Sequence, residues 1–488
     1  MTVTPFACSA RVLLLATLAA CASAPPTTPP AELGFDVPAN WSSAPADATA
    51  AAARPPLARE TPLAQDWWRS FGEPRLDELV QQALLHNRDL QAALARLEAA
   101  AAARTIAGAP LWPELDAGLD AQRQRRVFLG FPFGGGGIPS STVTTYGLSL
   151  SVRWELDVWG RVRAGQSAAI ADQQVALADF HGAQASLVAQ SCRGWFAAVE
   201  ARQQLALSEA TVRAFRATAD DVRARFRRGV RPALDVHLAA TDLANAEATL
   251  AQRRDQLQRA LHQLDVLIGR YPAGQTATTS RLPGALPAVP AGLPGELLQR
   301  RPDLVAAERR VAAAGCRVEQ ARASLYPRLS LTGSAGTSTL DLEDLADENF
   351  RVWSLGANLL EPLFRGGALA AAVDRQNALR AAALADYGGS VLRAFAEVED
   401  VLSTDVQLAT RRDRLADAAR HAAAARDLAR QRYQSGLTDF LAVADGQRQA
   451  FLAEAALIAL DRARLENRVD LFLALGGGFG QPAPGDQP

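Results

Sequence analysis

The side chains best suited to covalent or metal chemistry are few here, and their spacing does not combine them. The five histidines, His86, His181, His237, His262 and His421, show no metal-ligand spacing. Two of the four cysteines, Cys8 and Cys21, fall at the start of the chain. Cys192 and Cys316 stand far apart in helical patterns, without a C-x-x-C spacing, and read as small buried side chains rather than a redox pair. The basic residues are all arginine, so Schiff-base chemistry and a phosphate-loop lysine are excluded. There is no G-x-S-x-G and no H-E-x-x-H, and the run from Gly134 to Gly137 lies between candidate strands as a loop, not at the start of a helix as a phosphate cradle. This pattern points away from an enzyme and implies no cofactor and no bound metal. A formal charge of −1 over 488 residues gives no bulk electrostatic sign of a nucleic-acid partner.

The elements tell more. Arg11 precedes a short apolar run, Val12 to Ala20, too short to remain as a membrane span, so residues 1–20 read as a signal peptide. The end of that run, Leu18-Ala19-Ala20-Cys21, resembles the lipobox of bacterial lipoproteins, which implies lipidation of Cys21. Ala22 follows, not the aspartate that retains such proteins at the inner membrane, so the resemblance implies the outer membrane. An ordinary secretory signal with an incidental cysteine is the plainer alternative. Residues 21–65, rich in proline and alanine, read as an extended tether.

Beyond the tether the chain repeats itself. Residues 66–271 and 295–476 each read helix, β-hairpin, very long helix, turn, returning helix; a Pro/Gly/Thr-rich connection, 272–294, joins them, and 477–488 form a tail. The strand segments alternate with period two. Tyr146, Leu148, Leu150, Val152 and Trp154 share one face, as do Trp353, Leu355, Ala357 and Leu359, with small or polar residues opposite. That pattern suits either a half-buried soluble sheet or a membrane barrel with a wet lumen. Four strands cannot close a membrane barrel, for which about eight is the minimum, so strands placed in a membrane must share a barrel with other copies. No proline interrupts 161–228 or 366–435, and a helix of that size is about 100 Å long, which a globular core does not need. Val188, Cys192, Trp195 and Val199, then Val212, Phe215, Ala219, Val222 and Phe226, predict packed faces. Seven-residue repeats on the returning helices (Val236, Leu243, Leu250, Leu257, Leu264; then Val443, Ala450, Leu457, Leu471, broken by Arg464) predict coiled-coil packing. Gly229 and Gly436 supply the tip turns, where positive φ comes readily to glycine.

Four motifs carry a family resemblance: "DWWRSFGEPRLDELVQQALLHNRDLQAALARLEAA" (66–100), "RRPDLVAAERRVAAAG" (300–315), and the strand-to-helix junctions "WELDVWGRVRA" and "EPLFRGGALA". The chain resembles the TolC-like outer membrane factors, in particular the lipoprotein branch serving resistance-nodulation-division efflux pumps. Glu319 departs from that pattern, which usually has glycine there. The resemblance implies a mainly α chain with membrane β: a homotrimer whose twelve-stranded outer membrane barrel, four strands per chain, continues as a long helical coiled-coil tunnel in the periplasm. It implies a passive exit duct among outer membrane lipids, with two partners: a periplasmic adaptor (membrane fusion) protein and an inner-membrane resistance-nodulation-division transporter. An exit duct for type I protein secretion is the nearest alternative; a lipid-anchored coiled-coil scaffold without a pore is the alternative of another class.

By the same resemblance, Asp235 and Tyr433 match positions of the family's periplasmic gate, and Asp445 matches an acidic position whose symmetry copies ring the tunnel. Each has a plainer reading: helix N-cap for Asp235, packing for Tyr433, a solvated helix residue for Asp445. Leu234, Thr438 and Ala442 depart from residues some members carry for the gate, so its bonds do not transfer whole. Arg223, Arg225, Arg227, Arg228 and Arg231 cluster at the first turn and read either as a solvated tip or as an adaptor-docking patch.

Overall fold

The computed structural model describes Pro38, Trp41, Ser42 and residues 66–128, 140–284, 286, 287, 289 and 294–478; the expected signal peptide, Cys21, nearly all of the tether, the Gly134–Gly137 loop and most of the tail lie outside the described residues. The order is α1 (Pro74–His86), α2 (Arg88–Gly108), β1 (Glu114–Val127), β2 (Ser140–Leu156), α3 (Arg161–Arg227) and α4 (Ala233–Leu267). A second pass gives α5 (Pro294–Arg300), α6 (Pro302–Ala323), β3 (Arg328–Thr339), β4 (Arg351–Leu360), α7 (Ala368–Gln434) and α8 (Phe440–Ala474). Both long helices have 67 residues and both returning helices 35, so the repetition extends to element length.

Their boundaries follow from local chemistry. Asp157 accepts the backbone N–H groups of Val162 and Arg163 at 2.9 Å each, satisfying donors that the first turn of α3 would otherwise leave open. At the other end Gly229 takes φ +74°, with Gly229 N donating to Phe226 O and Val230 N to Arg225 O. Gly436, at φ +75°, repeats the pattern with Tyr433 O and Arg432 O. This is the glycine-terminated end that lets a helix stop and the chain reverse.

The chain forms two compact units, each drawing on both repeats. One comprises Leu97–Ala176 and Ala307–Tyr387; the other holds Leu177–Ala306, the described residues between Gly34 and Arg96, and those from Gly388 on. The first contains the antiparallel sheet β1-β2-β3-β4, whose register sets apolar against apolar, as in Leu119↔Leu148 and Ala335↔Trp353. Every residue of β1 and β4, the two edges, is exposed. In the second unit Trp67 stacks on Phe472 at 4.7 Å, and Phe71 meets Phe196 edge-on, within a core that includes Val188, Cys192, Trp195 and Val199. The two repeats also share a clamp. Asn87, just before α2, donates to Leu267 O, the last carbonyl of α4, at 3.0 Å; Arg301, just before α6, donates to Ala474 O, the last of α8, at 3.2 Å.

Three expectations need correction. Phe226 is not part of a buried face: it is 43% exposed, one residue before α3 ends, whereas its neighbour Arg225 is the residue that turns onto Tyr433. Asp235 is not the N-cap of α4; Pro232 holds that place and Asp235 lies in the first turn. Cys316 is only half-buried, unlike Cys192.

Candidate functional site

The polar residues singled out at the turns come together where α3, α4, α7 and α8 converge. A small apolar cluster, Ala219, Val222, Ala239, Tyr433, Phe440, Val443 and Ala444, holds the four helices. Tyr433 is the centre. Two guanidinium groups lie over its ring, Arg225 at 4.8 Å and Arg231 at 4.7 Å from the centroid, one from the end of α3 and one from the turn after it. Guanidinium groups on aromatic faces are attracted by the ring quadrupole, more so where water is excluded, and Tyr433 is only 3% exposed. Asp221 pairs with Arg225 at 3.0 Å, and Arg231 also donates to Thr438 O at 3.3 Å, tying the first turn to the second. The Tyr433 hydroxyl is buried without a hydrogen-bond partner among the described residues. Burial pushes its pKa up, and Arg231 and Arg225 oppose that shift.

Asp235 is half-buried in the first turn of α4 and faces Tyr433 electrostatically, without a hydrogen bond to it. Asp445 stands apart from this cluster: Arg448, one turn on, donates to its carboxylate at 2.6 Å. Asp242 is the further acidic group near Arg448, and burial raises its carboxyl above the ordinary range while Arg448 pulls it down. Gln447 donates to Thr218 Oγ1 at 2.9 Å and joins α8 to α3. In the second repeat Asp439 caps α8 by accepting from Ala442 N.

The five arginines divide. Arg225 and Arg231 turn inward onto Tyr433; Arg223, Arg227 and Arg228 stay exposed, Arg223 paired with Asp220 at 3.2 Å. Sequence reasoning missed the apolar residues beside them. Val230 and Leu437 follow the two turn glycines, and Leu234 and Leu441 are each the second residue of a returning helix; all four are exposed, like Phe226. The signal was available: the same residue class stands at the same place in both repeats.

A four-stranded sheet with open edges, one apolar face and one polar face, attached to helices of this length, defines a wall segment of a membrane channel. Among the described residues no helix is long and apolar enough to cross a membrane. The family described as "Outer membrane efflux protein" matches residues 79–270 and 293–477, and the chain belongs to it. It is 35% identical to the pyoverdine export outer membrane protein OpmQ of Pseudomonas aeruginosa, over 85% of this chain and 88% of that protein. It is 34% identical to the outer membrane protein OprJ of the same species, over 96% of this chain and 95% of that one. The solved outer-membrane channel OprN superposes with a TM-score of 0.81 at 30% identity, covering 94% of this chain and all of that one. The fold is that of the trimeric TolC-like channels, mainly helical with membrane strands and two repeats. The protein is the outer membrane channel component of an efflux pump, and its family is one of ducts, not enzymes.

Proposed function

We propose that the chain is a duct closed at its helix turns by the Arg225–Tyr433–Arg231 clamp, and that opening separates the two turns which Arg231 ties together. The carrying observation is the buried Tyr433 ring with two guanidinium groups over it, at 4.8 and 4.7 Å. The half-buried Asp235 carboxylate in the first turn of α4 is the group that meets other copies at the gate, and Tyr433 acts from inside its own copy by holding the two cations. Asp445 contributes one carboxylate per copy to a ring that favours cations, weakened by its own Arg448. Gly229 and Gly436 shape the tips, and Arg223, Arg227 and Arg228 meet the periplasmic adaptor that links the duct to a resistance-nodulation-division transporter. Cys21 carries the lipid that anchors the chain to the outer membrane. The duct does no chemistry; energy and cargo choice belong to the transporter.

Single-channel conductance of the purified protein in a planar bilayer tests this. Wild type is expected to conduct weakly, and Arg231→Ser or Tyr433→Ala to raise conductance severalfold. Equal conductance in all three would discard the clamp; no conductance in any would remove the duct.

A further inference from the structure

The lipid-facing side of the sheet carries charges that a channel wall does not need. On β1, Leu115, Ala117, Leu119 and Ala121 share the apolar face, and the same alternation continues into Arg123 and Arg125. The contacts agree with that facing: Arg125 Nη2 donates to Ser140 Oγ at 3.1 Å, diagonally across from its strand partner Thr142, whereas Arg126, on the opposite face, turns back to Gln124. Strands β1 and β2 have 14 and 17 residues, more than the roughly 9–11 that cross the hydrocarbon. The arginines lie at the end away from α2, past the apolar band. An arginine facing lipid is costly at mid-bilayer and nearly free at the interface, so the headgroup region of the outer leaflet is where these two belong.

The local charge balance is the second observation. No carboxylate occurs between Asp120 and Glu155, a stretch that holds Arg123, Arg125 and Arg126 near its start and, at its end, Arg153, which faces Asp116 at 3.8 Å. Arg123 pairs across the strands with Thr144 and Arg125 with Thr142, which places two hydroxyl donors beside two guanidinium groups on one face. The second hairpin differs. Its connection carries Asp341, Glu343, Asp344, Asp347 and Glu348, and the arginine beside that connection, Arg351, is paired with Glu348.

We propose that Arg123 and Arg125, with the Thr142 and Thr144 hydroxyls, form a ledge that binds the phosphate of an anionic lipid headgroup in the outer leaflet. Planar guanidinium forks match phosphate oxygens two at a time, and a basic cluster beside an apolar band is a recurrent way to hold phosphorylated lipids. Strands β1 and β4 are the edges of the sheet, so closing the barrel sets the two edges side by side and makes one such ledge per junction. The proposal rests on the trimeric barrel and adds a ligand to its outer rim.

The test is native mass spectrometry of the purified trimer after exchange into micelles containing diphosphorylated lipid A, with an uncharged lipid and free pyrophosphate as the other arms. Wild type is expected to retain lipid A, and Arg123→Gln/Arg125→Gln to lose roughly tenfold of that retention. Arg125→Lys, which keeps the charge but loses the planar fork, should fall between wild type and the double variant, and pyrophosphate should compete poorly because it lacks the acyl chains. Equal retention by wild type and the double variant, with both trimeric, would overturn the ledge alone. A double variant that retains lipid but dissociates without it would assign the arginines to the acidic hairpin of a neighbouring copy, and also overturn the proposal. Wild-type protein that remains monomeric would bring down the parent reading and the ledge with it.

Discussion

Asp445 and Asp242 share one arginine across two helices, and that arrangement decides how each carboxylate behaves. Arg448 donates to Asp445 at 2.6 Å on the same helix and draws on Asp242 electrostatically from α4. Removing it should expose the full charge of Asp445. If Asp445 rings the duct as proposed, Arg448→Ala is expected to strengthen cation selectivity and divalent-ion block by roughly threefold to tenfold; bilayer recordings with and without calcium would check it, and Asp445→Ala should abolish the effect. Asp242 has a different consequence. Burial raises its carboxyl, so the folded protein binds that proton more readily than the unfolded chain. Its contribution therefore falls as pH rises above the ordinary aspartate range and recovers on acidification. Asp242→Asn should raise the thermal midpoint at neutral pH and flatten its rise on acidification; an unchanged pH profile would refute the assignment. Little of this was legible in the sequence. Tyr433 could be read as an aromatic residue in an amphipathic helix, but its two cations come from the other repeat. No spacing within α7 announces a partner on α3. Asp235 looked like a cap because it follows a glycine turn and a proline, yet Pro232 already has the extended backbone that starts the helix.

At the scale of elements the legibility is high, for a physical reason. The long helices were expected over 161–228 and 366–435 and run over Arg161–Arg227 and Ala368–Gln434. Proline and glycine act on the backbone directly, so their positions mark boundaries whatever the tertiary context. Strand faces were legible because a period of two survives any packing arrangement that keeps one side apolar. The clamps at the helix ends were not. Asn87 and Arg301 are different residue types at equivalent places, one within "HNRDL" and the other within "RRPDL", and each binds a carbonyl far along the chain. Asn87 also accepts from Leu90 N at 3.0 Å, capping α2 while it holds α4. Arg301 adds Glu397 at 2.7 Å and Asp303 at 2.8 Å, and its side chain is 10% exposed. Asn87→Ala should cost about 1–2 kcal/mol, the loss of a cap and a buried carbonyl's donor. Arg301→Ala should cost more, about 2–4 kcal/mol, because three acceptors lose a largely buried cation. Thermal unfolding followed by near-ultraviolet circular dichroism should rank the two in that order; the reverse ranking would mean that the ion pairs of Arg301 contribute little.

For the whole molecule, the need for several copies followed from strand arithmetic once the strands are placed in a membrane, whereas the division of the tip arginines did not. Five clustered arginines suggested a single basic patch, but folding assigns them two tasks. Arg225 and Arg231 are spent on Tyr433, which leaves Arg223, Arg227 and Arg228 exposed beside Phe226, Val230, Leu234, Leu437 and Leu441. An apolar centre with a charged rim is the usual anatomy of a protein interface: the apolar residues supply affinity and the charges supply steering. These two parts can be separated by experiment. Replacing Arg223, Arg227 and Arg228 with serine should slow association with the adaptor and flatten its salt dependence, costing roughly tenfold in affinity at low salt and little at high salt. Replacing Leu437 and Leu441 with serine should weaken binding at every salt concentration, chiefly through faster dissociation. Neither set touches the Tyr433 ring, so the conductance of the isolated channel should stay at the wild-type level, whereas Arg231→Ser should do the opposite and open the channel while leaving the rim intact. Surface plasmon resonance at two ionic strengths, paired with bilayer recordings on the same preparations, would show whether docking and closure are distinct. If the three rim substitutions raised conductance as much as Arg231→Ser does, the tip would be one electrostatic unit, and adaptor contact and gate release would be the same event.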